Sequence, residues 1–122
     1  MRKNLLIFLS LLLFSTSALA VERVIKWGYS TTDIDGEFGM SSSTSGAIYI
    51  PAEVAQLYKG FTLKGVMAGL AADASSVTVF ATKTLGGTNL ASSTKSNVGK
   101  GDNEIEFDAP YTIDGDAFYV GY

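Results

Sequence analysis

The chain has 122 residues, with nine Lys and Arg against twelve Asp and Glu, and it contains neither Cys nor His. It therefore has no disulfide, no Cys–His or Ser–His–Asp nucleophile, and no zinc, haem or copper site that depends on His or Cys. The net charge of −3 argues against a nucleic-acid partner, because phosphate binding requires a basic patch.

The first twenty residues have the pattern of a secretory signal peptide. Arg2 and Lys3 precede an apolar run over residues 5–14, and the segment ends in Ala-Leu-Ala at Ala20, which signal peptidase accepts. The run is shorter than the roughly 20 apolar residues of a membrane-spanning helix. We therefore predict a signal peptide over residues 1–20 and an exported domain over residues 21–122. The protein would be secreted or at the cell surface, with the periplasm as the alternative and no membrane span after cleavage.

The first half of the exported domain is predicted to contain two strands, a long loop and a short helix. Residues 24–30 form the first strand, and residues 31–45 form a polar loop. Residues 46–50 form a second, short strand. Pro51 suits the first turn of a helix, where its missing N–H is not needed, so residues 51–58 are predicted as one or two helical turns.

The second half is predicted to contain five strands. They cover residues 61–70, 76–83, 90–95, 104–108 and 117–122. Turns are expected at residues 71–76, 85–89 and 110–115, and a loop at residues 96–103. Residues 104–108 alternate most clearly, because Ile105 and Phe107 are apolar and their neighbours are acidic, as in a half-solvated antiparallel strand.

About seven strands at this spacing, without βαβ units, predict an all-β fold, an antiparallel β-sandwich of jelly-roll-like type with one short helix. The predicted core is Ile25, Trp27, Ile48, Ile50, Leu57, Leu63, Val77, Val79, Ile105, Phe107 and Val120. The chain stops inside an apolar, aromatic strand, which leaves open a sandwich that is incomplete at its C-terminus. In that case the strand at residues 117–122 has an unpaired edge, and we expect self-association through it.

An acidic loop holds the candidates for a metal site. Asp33, Asp35 and Glu37 supply alternate carboxylates, whose oxygens can converge on Ca²⁺. The spacing of an EF-hand loop is not completed, so a solvated acidic loop is the simpler interpretation and no cofactor is predicted. The Asp-Gly-Asp segment at residues 114–116 is interpreted as a turn.

Aromatic side chains are the candidates for ligand binding. Trp27 and Tyr29, on the first predicted strand, are the foremost of them. Exposed aromatic rings can stack on sugars, whereas buried rings form core or cross-strand pairs. The same two interpretations apply to Tyr49, Tyr58, Tyr111, Tyr119 and Tyr122.

One pair of carboxylates has a spacing that a glycosidase can use. Glu104 and Glu106 lie on one face of a predicted strand, roughly 7 Å apart along it. Nothing in the sequence predicts a cleft around them, so we interpret them as part of a solvated face.

A series of short segments runs from residue 46 to the end of the chain. They are GAIYIP at 46–51, LYKG at 57–60, the strand from Phe61, VTVF at 77–80, NEIEF at 103–107, PYTIDG at 110–115 and FYVGY at 118–122. Their order and spacing resemble a β-sandwich module of secreted Bacteroidota proteins, found beside streptopain-like cysteine peptidases and adhesins, over most of residues 27–122. The resemblance implies an accessory, binding or adhesive role. It assigns no catalytic residue, since those of the associated peptidases lie in a separate domain.

We therefore expect an exported, non-catalytic module for adhesion, or for binding an extracellular protein or glycan, at the cell surface. The alternative is that this chain is the N-terminal accessory part of a larger secreted peptidase or hydrolase whose catalytic domain is absent here. Neither interpretation makes this chain an enzyme or gives it a nucleic-acid partner.

Overall fold

The computed structural model describes residues 24–26 and 44–122. The chain divides into two compact units, Met1–Asp33 and Ile34–Tyr122. In the first unit, the three described residues are exposed and have no regular secondary structure. The strand predicted at residues 24–30 is therefore not formed over its first three residues, and the rest of it lies outside the described residues.

The second unit consists mainly of antiparallel strands, as predicted. Its elements are β1 (Ala47–Ile50), α1 (Ala52–Leu57), β2 (Thr62–Leu70), β3 (Ala74–Thr82), β4 (Asn89–Val98), β5 (Gly101–Thr112) and β6 (Phe118–Gly121). One sheet has the strand order β1–β6–β3–β4 and the other pairs β2 with β5. The chain passes between the two sheets several times, and β1 lies beside β6. This sandwich-like arrangement of two antiparallel sheets with one short helix confirms the predicted all-β fold class.

The core lies between the two sheets. Val77 and Val79 on alternate positions of β3 are buried, as are Ile105 and Phe107 on alternate positions of β5. Phe118 of β6 is the largest fully buried side chain among the described residues. The predicted core is confirmed for Ile50, Val77, Val79, Ile105, Phe107 and Val120, while Leu63 packs against it half-buried.

Two aliphatic residues predicted for the core are exposed because their surroundings do not cover them. Ile48 pairs with the buried Val120, but it belongs to β1, the edge strand of the wider sheet. A two-stranded sheet is too narrow to cover all four strands opposite it. Ile25 is one of the three described residues of the first unit, which are all exposed and without regular secondary structure. Trp27, also predicted for the core, lies outside the described residues.

The buried stripe of helix α1 does not include Leu57, which the sequence predicts for the core. Helix α1 buries Ala55 and packs Val54 and Tyr58 against the core. Leu57 lies off that stripe and is 74% exposed, so its assignment to the core is wrong. Leu57 is the last residue of the helix and lies three positions after Val54, so spacing alone does not distinguish it from a core residue.

Strand β6 lies in the interior of its sheet. Tyr119 pairs with Tyr49 of β1 on one side and with Thr82 of β3 on the other. Beyond the strand, Gly46 and Tyr122 exchange two backbone hydrogen bonds, with N···O distances of 2.8 and 3.0 Å. The prediction of an unpaired edge at residues 117–122 is therefore wrong, and the argument for self-association through that edge falls with it.

The close approach of β1 to β6 depends on Gly121. A Cβ atom at this position would lie 2.8 Å from the Cα of Ala47 and would overlap the carbonyl oxygen of Gly46. Only a residue without a side chain lets the two strands reach hydrogen-bonding distance here.

Two predicted connections belong to strands. The loop predicted at residues 96–103 is reduced to two residues, because β4 continues to Val98 and β5 begins at Gly101. The turn predicted from residue 110 begins later, because β5 continues to Thr112. Pro110 fits this strand since it lies in the stretch of β5 that makes no pairs with β2, where its missing N–H costs no hydrogen bond.

Candidate functional site

The foremost candidates from the sequence lie outside the described residues. They are the aromatic residues Trp27 and Tyr29 and the metal candidates Asp33, Asp35 and Glu37. Their roles stay predictions. Within residues 24–26 and 44–122, no group of three or more acidic side chains is arranged to hold a metal ion.

The strongest feature in the described part is a pair of tyrosines on the outer surface of the four-stranded sheet. Tyr49 and Tyr119 are direct cross-strand partners, with ring centroids 5.0 Å apart and planes inclined by 44°. Tyr49 is 49% exposed. Their neighbours Ile50 and Phe118 are buried on the opposite side, so the two rings face away from the core.

Rows of hydroxyl side chains continue from this pair along β3 and β4. Ser76 lies opposite Ser96, Thr78 opposite Thr94, and Phe80 opposite Ser92. We call this surface the hydroxyl face. It is defined by Tyr49, Ser76, Thr78, Phe80, Ser92, Thr94, Ser96 and Tyr119.

The hydroxyl face is locally ordered, and most of its hydroxyl groups reach solvent. The hydroxyls of Thr78 and Thr94 are hydrogen-bonded to each other at 2.8 Å, while both residues remain exposed. Thr82, the β3 partner of Tyr119, is buried instead and donates its hydroxyl to the backbone of Thr84 or Thr88. The face thus begins at the tyrosine pair and extends toward Ser76.

The two sheets differ in charge on their outer surfaces. None of the eight residues of the hydroxyl face carries a formal charge at neutral pH. On the other sheet, Asp102, Glu104 and Glu106 occupy alternate exposed positions of β5, opposite Gly69, Met67 and Gly65 of β2. Glu104 and Glu106 thus lie on a solvated face, as predicted, and not in a cleft.

A cluster of charged and aromatic groups that the sequence analysis did not identify joins the end of β3 to the β5–β6 turn. Lys83 Nζ lies 2.6 Å from Asp114 Oδ1 and 4.0 Å from Asp116 Oδ2, and it also lies 5.9 Å from the ring centroid of Tyr111. Asp114 also accepts a hydrogen bond from the backbone N–H of Asp116, which confirms the predicted turn. The signal available in the sequence was only a lysine and a turn 31 residues apart.

The pKa shifts in this cluster favour the charged forms of Lys83 and Asp114, so neither group is suited to exchange a proton near neutral pH. The bond from Lys83, together with the backbone N–H of Asp116, lowers the pKa of Asp114 from 3.8 to about 2. Burial opposes the charge of Lys83, but Asp114 and Tyr111 outweigh it and raise the pKa of Lys83. The Tyr111 hydroxyl is buried and makes no hydrogen bond of acceptable geometry. Its proximity nevertheless favours the charged forms of Lys83 and Asp114. The ion pair of Lys83 and Asp114 links the end of β3 to the β5–β6 turn.

The remaining aromatic candidates support the fold. Tyr111 packs edge-on against Phe118, with ring centroids 5.5 Å apart. Tyr58 and Phe61 make a similar contact at 5.9 Å beside the helix. The Tyr122 hydroxyl donates a hydrogen bond of 2.9 Å to the carbonyl oxygen of Gly69, which ties the end of the chain to β2.

An open cavity of about 340 Å³, with a mixed polar and apolar lining, lies at the opposite end of β3 and β4. Asp73, Ser75 and Asn97 supply its side-chain oxygens and nitrogen. The Asp73 carboxylate accepts a hydrogen bond from the backbone N–H of Lys100 at 2.8 Å. Its one carboxylate is thus engaged in shaping the loop, and the cavity has no aromatic wall.

Comparison of the chain with protein-family models, with curated proteins and with solved structures yields no match. The resemblance to the Bacteroidota modules therefore stays a prediction from the segments quoted above. In the described part of the chain, no helix has the length and apolar character needed to cross a membrane.

Proposed function

We propose that the protein is an exported, non-catalytic β-sandwich module that binds an extracellular protein or glycan through the hydroxyl face. The observation that carries the proposal is the cross-strand pair of Tyr49, which is 49% exposed, and Tyr119, which is half-buried, on an uncharged sheet surface. Tyrosine combines a large apolar ring with a polar tip and is enriched at binding surfaces for that reason.

The chemistry of the hydroxyl face favours binding over catalysis. Serine and threonine become nucleophiles only beside a general base, and none of the eight residues of this face is a base. The ion pair of Lys83 and Asp114 keeps both groups charged. A contact surface needs only shape, apolar area and hydrogen-bonding groups, all of which this face offers.

Export is supported by the pattern of residues 1–20. We expect the protein recovered from the culture medium or the cell envelope to begin at Val21, as measured by mass spectrometry of the intact chain. Recovery of the protein with Met1 retained, in the cytoplasm, would contradict the export half of the proposal.

Binding is tested on a panel of immobilised glycans and extracellular proteins. The variant Tyr49→Ala removes the exposed ring on an edge strand, and Met67→Ala removes a comparably exposed side chain, 47% accessible, on the other sheet. We expect Tyr49→Ala to lose binding that Met67→Ala retains. Equal binding by both variants, or a blank panel with folded protein, would count against the proposal.

A further inference from the structure

The ligand class can be narrowed from the charge and composition of the hydroxyl face. This step rests on the proposed function, because it names what that surface would bind. The face has no Lys or Arg to pair with sulfate, phosphate or carboxylate groups, and the chain as a whole carries a net charge of −3. A polyanion would therefore be repelled. A cationic partner would be drawn to the carboxylates of the other sheet.

A protein partner fits the hydroxyl face poorly. The centres of protein interfaces are depleted in Ser, because each hydroxyl buried without a partner costs free energy. Ser76, Ser92 and Ser96 would all have to find partners in one dry contact, whereas the hydroxyls of Thr78 and Thr94 already bond to each other. Sugars present many hydroxyls that both donate and accept, so they can satisfy such a surface group by group.

The length of the hydroxyl face suits an extended chain. From the level of Thr82, opposite Tyr119, to Ser76 is six residues of β3, or about 20 Å at the usual strand rise. Along this distance the hydroxyl rows recur every second residue. The half-buried ring of Phe80 provides apolar floor between the tyrosine pair and the threonine row.

We infer that the hydroxyl face binds a neutral polysaccharide that lies along β3. One sugar ring stacks on Tyr49 and Tyr119, and the following sugars exchange hydrogen bonds with Thr78, Thr94 and the serines beside them. The contact is stabilised by ring stacking and neutral hydrogen bonds, so it is insensitive to salt. Acidic polysaccharides are excluded by the absence of cations on the face.

The test is titration calorimetry of the purified protein with soluble polysaccharides. The neutral probes are hydroxyethyl cellulose, glucomannan and dextran, and the acidic probe is polygalacturonate. Each titration is run at about 0.05 M and about 0.5 M NaCl, between which the screening length falls about threefold. We expect binding of a neutral probe at both salt concentrations and no binding of polygalacturonate.

Variants locate the binding on the hydroxyl face. Tyr49→Ala removes the stacking ring, and the double variant Thr78→Val/Thr94→Val removes two hydroxyls while keeping the β-branched shape. Each is expected to weaken binding about fivefold or more, roughly the effect of one lost contact. Met67→Ala and Glu106→Gln, on the other sheet, are the matched controls and should leave the affinity unchanged.

The outcomes separate this inference from the proposed function. If the panel finds a protein ligand that needs Tyr49 and no neutral probe binds, the proposed function stands and the inference is overturned. Binding of a neutral probe that ignores both face variants also overturns it, since the site then lies elsewhere. If neither a panel ligand nor a neutral probe binds, both fall.

Discussion

Replacing Phe118 by alanine tests the packing of β6 against the core. Phe118 is 1% exposed, and its ring packs edge-on against Tyr111 with a centroid distance of 5.5 Å. The matched control is Leu57→Ala, because Leu57 is a large apolar residue that was predicted for the core and is 74% exposed.

The expected cost of Phe118→Ala has two parts. Returning a buried phenyl group to water accounts for about 1.5–3 kcal/mol, and the cavity left behind brings typical values for Phe→Ala to about 3–5 kcal/mol. The lost edge-on contact with Tyr111 contributes to the upper end of that range. A domain of this size is stable by only about 5–15 kcal/mol, so the variant should be close to unfolding. Leu57→Ala should cost less than about 0.5 kcal/mol.

The assay is urea denaturation followed by circular dichroism, with thermal melts as a second measurement. We expect the thermal midpoint of Phe118→Ala to fall by about 4–8 °C for each kcal/mol lost. A loss below about 1 kcal/mol for Phe118→Ala would refute the burial of Phe118 in the core. A larger loss for Leu57→Ala than for Phe118→Ala would refute the assignment of the buried helix stripe.

Two further predictions concern the close approach of β1 to β6 and the ion pair of Lys83 and Asp114. Gly121→Ala should displace β1 and cost about 1–3 kcal/mol, seen as faster amide exchange at Ala47 and its strand neighbours, whereas Gly46→Ala has free space and should change nothing. Asp114→Asn breaks the exposed pair with Lys83 and should cost at most about 1 kcal/mol at neutral pH, because solvent screens it. Since folding lowers the pKa of Asp114 from 3.8 to about 2, its contribution is fully present above about pH 4 and is lost as the pH falls through about 2. The unfolding free energies of wild type and Asp114→Asn should therefore converge toward pH 2, and a gap that stays constant with pH would contradict the assignment.

The alternation of apolar and polar residues predicts which face of a strand is buried. Ile105 and Phe107 are flanked by carboxylates, so only one face of β5 can be buried, and the structure has that face inward. The sequence predicts a loop at residues 96–103, a polar stretch that includes Asn97. It is strand because β4 is solvated along much of its length and needs few apolar residues.

Local sequence patterns do not give the order in which the strands pair in a sheet. Nothing in residues 117–122 distinguishes an edge strand from an interior one, because both are apolar and short. For the same reason, the sequence does not predict that Tyr49 and Tyr119 form a pair. Tyr49 and Tyr119 were both candidates, but they are 70 positions apart in the sequence. Only the antiparallel register of β1 and β6 brings their rings together.

The interior position of β6 also has a consequence for the order in which the fold assembles. β1 and β3 are made early, but they are not neighbours in the sheet. They are joined only when residues Phe118–Gly121 pair with both of them. The wider sheet is therefore two separate pieces until β6 has been synthesised. Closing it requires contacts between residues more than 65 positions apart, and such long-range pairing is slow. Until β6 is in place, β1 and β3 each keep an unpaired edge.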